Sequence, residues 1–272
     1  MRYLKAGVGR PIILVHGLMG YSFSWRFTMP ALAQHATVYG IDNLGAGLSP
    51  AVEGMDCGVR ATAERALQFA DALGLSEFDL LGTSHGGAVA MIAAAIATER
   101  DRPRIRRLIL VAPVNPWSPH GKRLAPFLVT PLGTLVFRNT IERWRVLDYL
   151  WLRRLFSARS RIPCDSLAGY RIPVFQNHGF RHASNILKTW LADLADLEAT
   201  LPKIRDYPTL LMWGTKDRAV SFASAEPLRQ NFCNARLAAF EGIGHLPYEE
   251  CPEEFNRVLI EFLEGLAIGE LL

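Results

Sequence analysis

The sequence has few cysteines and no long hydrophobic run, and both shortages exclude classes of protein. Its four cysteines are far apart and form no C-x-x-C pair: Cys57, Cys164, Cys233 and Cys251. This spacing argues against a disulfide framework or a zinc site and fits reduced thiols. The longest apolar run, Ala88–Ala97, is about half of the ~20 residues that a membrane span needs. The N-terminus lacks the apolar core of a signal peptide, so we expect a soluble, cytoplasmic protein.

The sequence also has only a small excess of one sign of charge. The 30 Lys and Arg nearly balance 26 Asp and Glu, and no nucleic-acid-binding motif accompanies the net charge of +4. We therefore expect no nucleic-acid partner. Half of the residues are hydrophobic and 10% are aromatic, which excludes a disordered chain. The length of 272 residues fits one large domain, or one domain with an insertion.

Short apolar runs alternate with amphipathic stretches at both ends of the chain. Strands are predicted at 12–15, 37–41, 78–81, 107–111, 209–213 and 235–240, and helices at 60–73, 88–98, 224–232 and 252–266. A short strand at 2–6 precedes them, and Gly7-x-Gly9 predicts a hairpin turn after it. The alternation predicts an α/β fold with a mostly parallel sheet flanked by helices. Residues 1–113 and 206–272 would form this core, and residues 114–205 a helical insertion.

One motif carries chemistry. Residues 82–86 read Gly-Thr-Ser-His-Gly, a G-x-S-x-G pattern that follows a predicted strand and opens a predicted helix. A glycine–serine turn without chemical meaning has the same letters, so the strand–turn–helix setting decides in favour of function. There, Ser84 sits on a sharp turn, and glycines two positions away on either side avoid collision with the crossing chain. Ser84 is therefore the candidate nucleophile.

A nucleophilic serine needs a base and an acid that orients the base. In this elbow type the chain order is serine, then acid, then histidine. Asp217 follows the predicted strand at 209–213, and His245 follows the last predicted strand. Functional sites of α/β sheets lie at such strand ends. Asp217 and His245 are the candidate partners of Ser84.

These residues resemble the α/β-hydrolase family, in particular its lid-bearing serine esterases. The resemblance rests on His16-Gly17 after a strand, the Gly-rich turn after Asp42, the elbow at Ser84, Gly214-x-x-Asp217 and Gly244-His245. It covers both core segments, nearly 180 residues. It implies an α/β-hydrolase fold whose helical lid, residues 114–205, is inserted before the strand that leads to the catalytic acid.

The resemblance also implies an activity. Ser84 would be the nucleophile, His245 the general acid and base, and Asp217 the orienting acid, while the backbone N–H groups of Leu18 and His85 would form the oxyanion hole. The substrate would be a small molecule, a carboxylic ester or thioester with a hydrophobic part, and no cofactor or metal would be needed. Carbon–carbon bond hydrolysis, acyl transfer and a weakly catalytic ligand receptor remain as alternatives.

Other residues and other activities of this fold fit the sequence less well. Asp42 ends a strand but precedes the serine, and its Gly-rich sequel resembles a structural turn, so Asp217 is preferred as the acid. His16 adjoins the oxyanion loop and is read as structural. The dehalogenases and epoxide hydrolases of this fold carry an Asp nucleophile where this chain has Ser84. Carbon–carbon bond hydrolases usually have a Gly-Pro-rich oxyanion loop and an aromatic residue after the histidine, whereas this chain has Leu18-Met19-Gly20 and Leu246.

The insertion is strongly basic. It contains 14 Lys and Arg against 6 Asp and Glu, a charge of +8, which leaves −4 for the rest of the chain. Its segment Ile141–Phe156 combines apolar residues at helical spacing with four arginines. Such a helix is either an ordinary lid helix or one that contacts an anionic surface peripherally. The first interpretation is preferred here.

Overall fold

A seven-stranded sheet forms the centre of the molecule. The structure is a computed structural model that describes residues 1–100, 105–142, 152–176 and 179–265. Its strands are β1 (Arg2–Ala6), β2 (Arg10–Val15), β3 (Ala36–Asp42), β4 (Phe78–Thr83), β5 (Ile105–Val111), β6 (Thr209–Gly214) and β7 (Ala235–Phe240). They lie in the order β1-β3-β2-β4-β5-β6-β7. β1 is antiparallel to β3, and the six other described strands are parallel. The predicted α/β fold with a mostly parallel sheet is confirmed.

The first connection differs from the prediction. A hairpin at Gly7-x-Gly9 would pair β1 with β2, but β1 pairs with β3, and β2 lies on the other side of β3. Gly7 has a φ of +75°, and a Cβ atom there would lie 2.2 Å from the carbonyl oxygen of Ala36. The turn therefore packs against the start of β3. The hairpin prediction is wrong because turn glycines specify a reversal of the chain, not the partner of the strand before it.

Both faces of the sheet are covered. Every residue of β3, β4 and β6 is buried. Side chains alternate between two cores, with Ile13 and Val15 in one and Ile12 and Leu14 in the other. Burial on both faces explains why these strands are continuous apolar runs in the sequence.

Helices fill the two faces and the segment between β5 and β6. They are α1 (Met29–Leu32), α2 (Val59–Ala72), α3 (His85–Glu99), α4 (Pro119–Leu128), α5 (Pro131–Glu142), α6 (Ser166–Gln176), α7 (Gly179–Thr200), α8 (Ala225–Arg229), α9 (Pro247–Glu250) and α10 (Pro252–Glu264). Single 3₁₀ turns lie at Ser22–Trp25, Arg159–Arg161, Leu201–Ile204 and Phe222–Ser224. The Ala-rich stretch of α3 is buried over Ala88–Ala97. Small side chains let this helix lie close to the sheet between α2 and α7.

The segment between Val111 and Thr209 contains α4, α5, α6 and α7 and no strand among its described residues. Most of the amphipathic stretch predicted at Ile141–Phe156 lies outside the described residues; of it, 152–155 are helical. Among the described residues, no helix is both long and apolar enough to cross a bilayer.

Candidate functional site

Ser84 lies on a strained turn between β4 and α3. Its backbone has φ 52° and ψ −119°, a conformation that residues with side chains rarely adopt. Two hydrogen bonds hold it there: the Ser84 N–H donates to the carbonyl oxygen of Val111 at 2.9 Å, and the Val114 N–H donates to the Ser84 carbonyl oxygen at 2.9 Å. The end of β5 therefore fixes the turn from both sides, and the Ser84 side chain is half-buried.

The two glycines of the motif leave no room for a side chain. A Cβ atom at Gly82 would lie 2.1 Å from the carbonyl oxygen of Gly86, and one at Gly86 would lie 2.4 Å from that of His16. Both distances are far below van der Waals contact. The sequence interpretation of these glycines as a steric requirement agrees with this geometry.

Asp217 and His245 lie together at the carboxyl edge of the sheet. The Nδ1 atom of His245 lies 2.7 Å from Oδ2 of Asp217, and both side chains are buried. The other oxygen, Oδ1, accepts the N–H groups of Ala219 at 2.7 Å and Val220 at 2.9 Å. With both oxygens accepting, the carboxylate is fixed in orientation. His245 Nδ1 therefore carries the hydrogen, and its Nε2 atom is left without one and can accept a proton.

The loop of His245 is held by a residue that sequence analysis missed. An oxygen of Glu250 accepts the Gly244 N–H at 2.7 Å, and the same carboxylate accepts the N–H of Ser157 at 3.1 Å and its hydroxyl at 2.6 Å. The His245 N–H donates to the carbonyl oxygen of Leu155 at 2.7 Å. Burial raises the pKa of Glu250. The only signal for it in the sequence is an acidic pair soon after His245.

Ser84, Asp217 and His245 follow β4, β6 and β7, whose carboxyl ends lie along one edge of the sheet. Asp217 and His245 are hydrogen-bonded, but the Ser84 hydroxyl makes no hydrogen bond to any described residue. Contacts between nucleophile and base are often long without substrate and shorten when it binds.

Two backbone N–H groups near Ser84 are unused. Those of Leu18 and His85 donate to no other residue in the described part of the chain. A Cβ atom at Gly17 would lie 3.1 Å from Cβ of Ser84, so the loop that carries Leu18 passes directly beside the serine. In that loop the Gly20 N–H donates to the Gly17 carbonyl oxygen at 3.0 Å, and Met19 has a φ of 59°. This tight turn is available to orient the Leu18 N–H.

Comparison with known proteins identifies the family. Residues 12–258 match the model of the alpha/beta hydrolase family. The chain belongs to the alpha/beta hydrolase family. It is similar to 2-hydroxy-6-oxo-2,4-heptadienoate hydrolase of Pseudomonas putida, with 28% identity over 94% of this chain and 90% of the relative. It is also similar to haloalkane dehalogenase 2 of Mycobacterium bovis, with 28% identity over 96% of this chain and 90% of the relative. A solved structure of a membrane phospholipase A superposes with a TM-score of 0.77, 27% identity and coverage of 97% of this chain and 82% of that one.

Within this hydrolase, the contacts of Asp42 hold the backbone around it. Its carboxylate accepts the N–H groups of Ser22 at 2.7 Å and Leu48 at 3.1 Å, and Arg2 pairs with it at 3.0 Å. The Ser49 hydroxyl donates to the Asp42 carbonyl oxygen at 2.6 Å. Among the described residues, no histidine forms a hydrogen bond with this carboxylate. Asp42 therefore stabilises the turn that follows β3.

His16 is also held on both ring nitrogens. The Asn43 N–H donates to Nε2 at 3.1 Å, so Nε2 carries no hydrogen, and Nδ1 donates to the Gly17 carbonyl oxygen at 2.8 Å. Burial lowers the pKa of His16. The imidazole is neutral and links β3 to the loop beside Ser84. The structural interpretation of His16 agrees with these contacts.

The side chain of His85 points away from solvent. Its ring stacks on that of Trp190 from α7, with centroids 6.1 Å apart, and its Nε2 atom is buried without a hydrogen-bond partner among the described residues. Burial lowers the pKa of His85 to about 3. Burial also lowers the pKa of His182, which lies on α7, to about 4. Among the described residues no group of three or more His, Cys, Asp or Glu side chains is placed to hold a metal ion.

Proposed function

We propose that this hydrolase cleaves a carboxylic ester or thioester with a hydrophobic part through an acyl-enzyme on Ser84. The observation that carries the proposal is the 2.7 Å pairing of His245 Nδ1 with Asp217, at the edge of the sheet where the strained turn presents Ser84. A hydroxyl alone is a weak nucleophile, and a neutral imidazole with a free Nε2 is the base that activates it.

In the first step His245 Nε2 takes the proton of the Ser84 hydroxyl as Ser84 Oγ bonds to the acyl carbon. The carbonyl oxygen becomes an oxyanion, which the N–H groups of Leu18 and His85 bind. Asp217 stabilises the imidazolium through Nδ1 and stays ionised. Each oxyanion donor of this kind contributes on the order of 3 kcal/mol to lowering the barrier.

The oxyanion then collapses and the bond to the leaving group breaks. The leaving alkoxide or thiolate takes the proton from His245, which leaves an acyl group on Ser84. Water gives its proton to His245 and adds to the acyl carbon, and the second tetrahedral intermediate releases the acid and restores the Ser84 hydroxyl. Every proton moves through one histidine, so no cofactor enters the reaction.

Apolar residues near the serine support a hydrophobic substrate. Val114 follows β5 beside Ser84, and Trp190 stacks on His85. A cavity of about 10 Å³ lies behind them, with Val59, Ala88 and Leu197 in its walls. It is too small for a substrate group, so we place the acyl chain outside this cavity.

The names of the relatives and the residues of this chain both bear on the alternatives. A serine at position 84 argues against dehalogenation, because the dehalogenases of this fold carry an Asp nucleophile. Carbon–carbon bond hydrolysis is the second candidate, since the relative from Pseudomonas putida bears the name of such a hydrolase and aligns with 94% of this chain. The residues Leu18-Met19-Gly20 and Leu246 favour the ester. The phospholipase A among the solved structures also bears the name of an ester hydrolase.

Turnover of p-nitrophenyl acetate and butyrate tests the proposal. We expect Ser84→Ala to lower kcat/KM by roughly 10³-fold or more. Ser118→Ala is the matched control, because Ser118 is buried, makes no capping hydrogen bond and lies outside the proposed triad. An activated phosphonate should label wild type but not the Ser84→Ala variant. Equal nitrophenol release by wild type and Ser84→Ala contradicts the proposal.

A ring-cleavage dienoate and an acyl-acceptor alcohol serve as further substrates. Faster turnover of the dienoate than of either ester, again dependent on Ser84, favours carbon–carbon bond hydrolysis. Formation of a new ester from the alcohol favours acyl transfer. A thermal shift on ligand binding without any turnover favours a receptor.

A further inference from the structure

An exposed apolar surface surrounds the turn between α4 and α5. We call it the hairpin patch and define it by four side chains with exposed fractions of 44% to 64%: Leu124, Phe127, Leu132 and Leu135. Each helix supplies two of them at a spacing of three residues, which places each pair on one helix face. Val129 in the turn is also exposed.

The two faces adjoin because the turn is tight. A Cβ atom at Gly133 would lie 1.9 Å from the carbonyl oxygen of Phe127. The Thr130 hydroxyl donates to that oxygen at 2.8 Å and accepts the Gly133 N–H at 3.0 Å. The start of α5 is thereby fixed against the end of α4. A contiguous exposed apolar area of this kind marks an interaction site more often than chance exposure.

The charge around the hairpin patch has one sign. Between Val114 and Ile141 the charged residues are Lys122, Arg123 and Arg138, with no acidic residue, and the whole insertion carries +8. Exposed apolar side chains in a segment whose charges are all basic suit the surface of an anionic bilayer, where apolar groups enter the headgroup boundary and cations attract lipid phosphates. A second copy fits poorly, because two strongly basic insertions would repel each other.

Helix α4, which carries half of the hairpin patch, packs against α7. A Cβ atom at Gly121 of α4 would lie 2.4 Å from Trp190 Nε1, and Trp190 stacks on His85, the neighbour of Ser84. One helix layer therefore separates the patch from the candidate site. We propose that the hairpin patch binds the surface of an anionic lipid bilayer. This inference goes beyond the proposed function and does not require that function to be correct.

Cosedimentation with large unilamellar vesicles tests it, using chains in which Ser84→Ala prevents any lipid hydrolysis. One set of vesicles is phosphatidylcholine alone, and the other is phosphatidylcholine with an equal part of phosphatidylglycerol. We expect binding to the anionic vesicles that weakens with added salt. The double variant Leu132→Glu with Leu135→Glu should bind at least about tenfold more weakly. It replaces two apolar side chains that would enter the bilayer with carboxylates that the anionic lipids repel.

The control carries the same charge change at another place. Val8 and Val52 are 89% and 54% exposed and lie outside the insertion, so Val8→Glu with Val52→Glu should bind vesicles like its parent. Equal vesicle binding by the two double variants overturns the proposal, as does equal binding to neutral and anionic vesicles. Self-association in sedimentation equilibrium that Leu132→Glu with Leu135→Glu abolishes, without vesicle binding, also overturns it in favour of a second copy.

Folding and activity are checked separately. Thermal midpoints and p-nitrophenyl acetate turnover of both double variants, made with Ser84 intact, should match wild type, because the changed residues are exposed and lie outside the proposed triad and oxyanion hole. If the double variant does not fold, Leu132→Gln alone serves, and it should still weaken binding to the anionic vesicles. Loss of esterase activity in wild type leaves the vesicle result unaffected, so the two proposals fail independently.

Discussion

At the scale of single residues, the turn at Ser84 depends on neighbouring glycines, which have no side chains. Strain at φ 52° is maintained because the backbone of β2 and the start of α3 approach each other without intervening side chains. We expect Gly86→Ala to force the elbow open, since its Cβ would lie 2.4 Å from the carbonyl oxygens of both Val15 and His16. Overpacking should lower the free energy of unfolding by about 1–3 kcal/mol, measured by urea unfolding.

The same change should affect catalysis more than folding. A displacement of the nucleophile by an ångström reduces turnover by roughly 10²-fold. Gly58→Ala is the control, because the atoms nearest to its new Cβ are the ends of flexible side chains, at 3.1 Å and beyond. If Gly86→Ala retains the turnover and stability of that control, the elbow does not require glycine there.

A second residue-scale prediction concerns Asp217. Asn at this position keeps the size of the side chain but offers an amide that can hold His245 in the wrong tautomer. We expect Asp217→Asn to lower kcat by about 10⁴-fold with little change in KM. The matched control is Asp206→Asn, whose side chain is 87% exposed. Wild-type kcat in Asp217→Asn at neutral pH would falsify the assignment of the orienting acid.

At the scale of elements, the His245 loop is held by a segment that precedes α6. Glu250 joins Gly244 to Ser157 through one carboxylate. We expect Glu250→Gln to lower kcat with KM nearly unchanged, because the loop would reposition His245 without altering the substrate surface. Its amide group replaces one acceptor oxygen with a donor that faces the N–H and hydroxyl of Ser157.

Steady-state kinetics on p-nitrophenyl butyrate measure this split between kcat and KM. Glu253→Gln is the control, since Glu253 is exposed on α10. A purely structural role for Glu250 predicts lower stability with unchanged kcat in the folded fraction. A change in KM alone would show that Glu250 shapes the substrate surface instead.

A second link fastens α6 to the core. Glu249 is buried and accepts hydrogen bonds from Ser166 and Tyr170 of α6, while Arg26 pairs with it at 3.0 Å. We expect Glu249→Ala to lower the free energy of unfolding by about 3 kcal/mol, because it leaves a half-buried guanidinium with fewer partners. Urea unfolding measures this, and Glu226→Ala, which breaks an exposed pair with Arg229, should change little. Equal losses in the two variants would show that burial of Glu249 does not matter.

Local pattern predicted the elements better than their connections. The apolar runs of β3, β4 and β6 and the Ala-rich α3 follow directly from the sequence, because burial on both sides demands them. The candidate acid and histidine could also be named from the sequence, because they follow strands whose ends share one edge of a parallel sheet. Glu250 and the partners of β1 could not, because both depend on contacts between distant segments that leave no periodic signal.

At the scale of the whole molecule, three buried histidines connect stability to pH. Burial lowers the pKa of His16, that of His85 to about 3 and that of His182 to about 4. In the unfolded chain these imidazoles titrate near pH 6.5. Between pH 6.5 and about 4 the unfolded state therefore binds more protons than the folded state, and stability must fall as the pH falls. Burial raises the pKa of Asp79, Asp193 and Glu250, which acts in the opposite sense at the acid end.

The last prediction follows from this difference in proton binding. We expect the free energy of unfolding to decrease from pH 7 to pH 5, each buried histidine contributing up to about 1.4 kcal/mol per pH unit. His182→Asn should make this slope shallower, because α7 then carries no imidazole that must stay neutral against Cys57. His35→Asn is the control, since His35 is 37% exposed and forms its contact with Glu264 at the surface. Urea unfolding at pH 5, 6 and 7 gives the three slopes. An identical slope for wild type and His182→Asn would mean that His182 binds protons equally in the folded and unfolded states, and that burial does not lower its pKa.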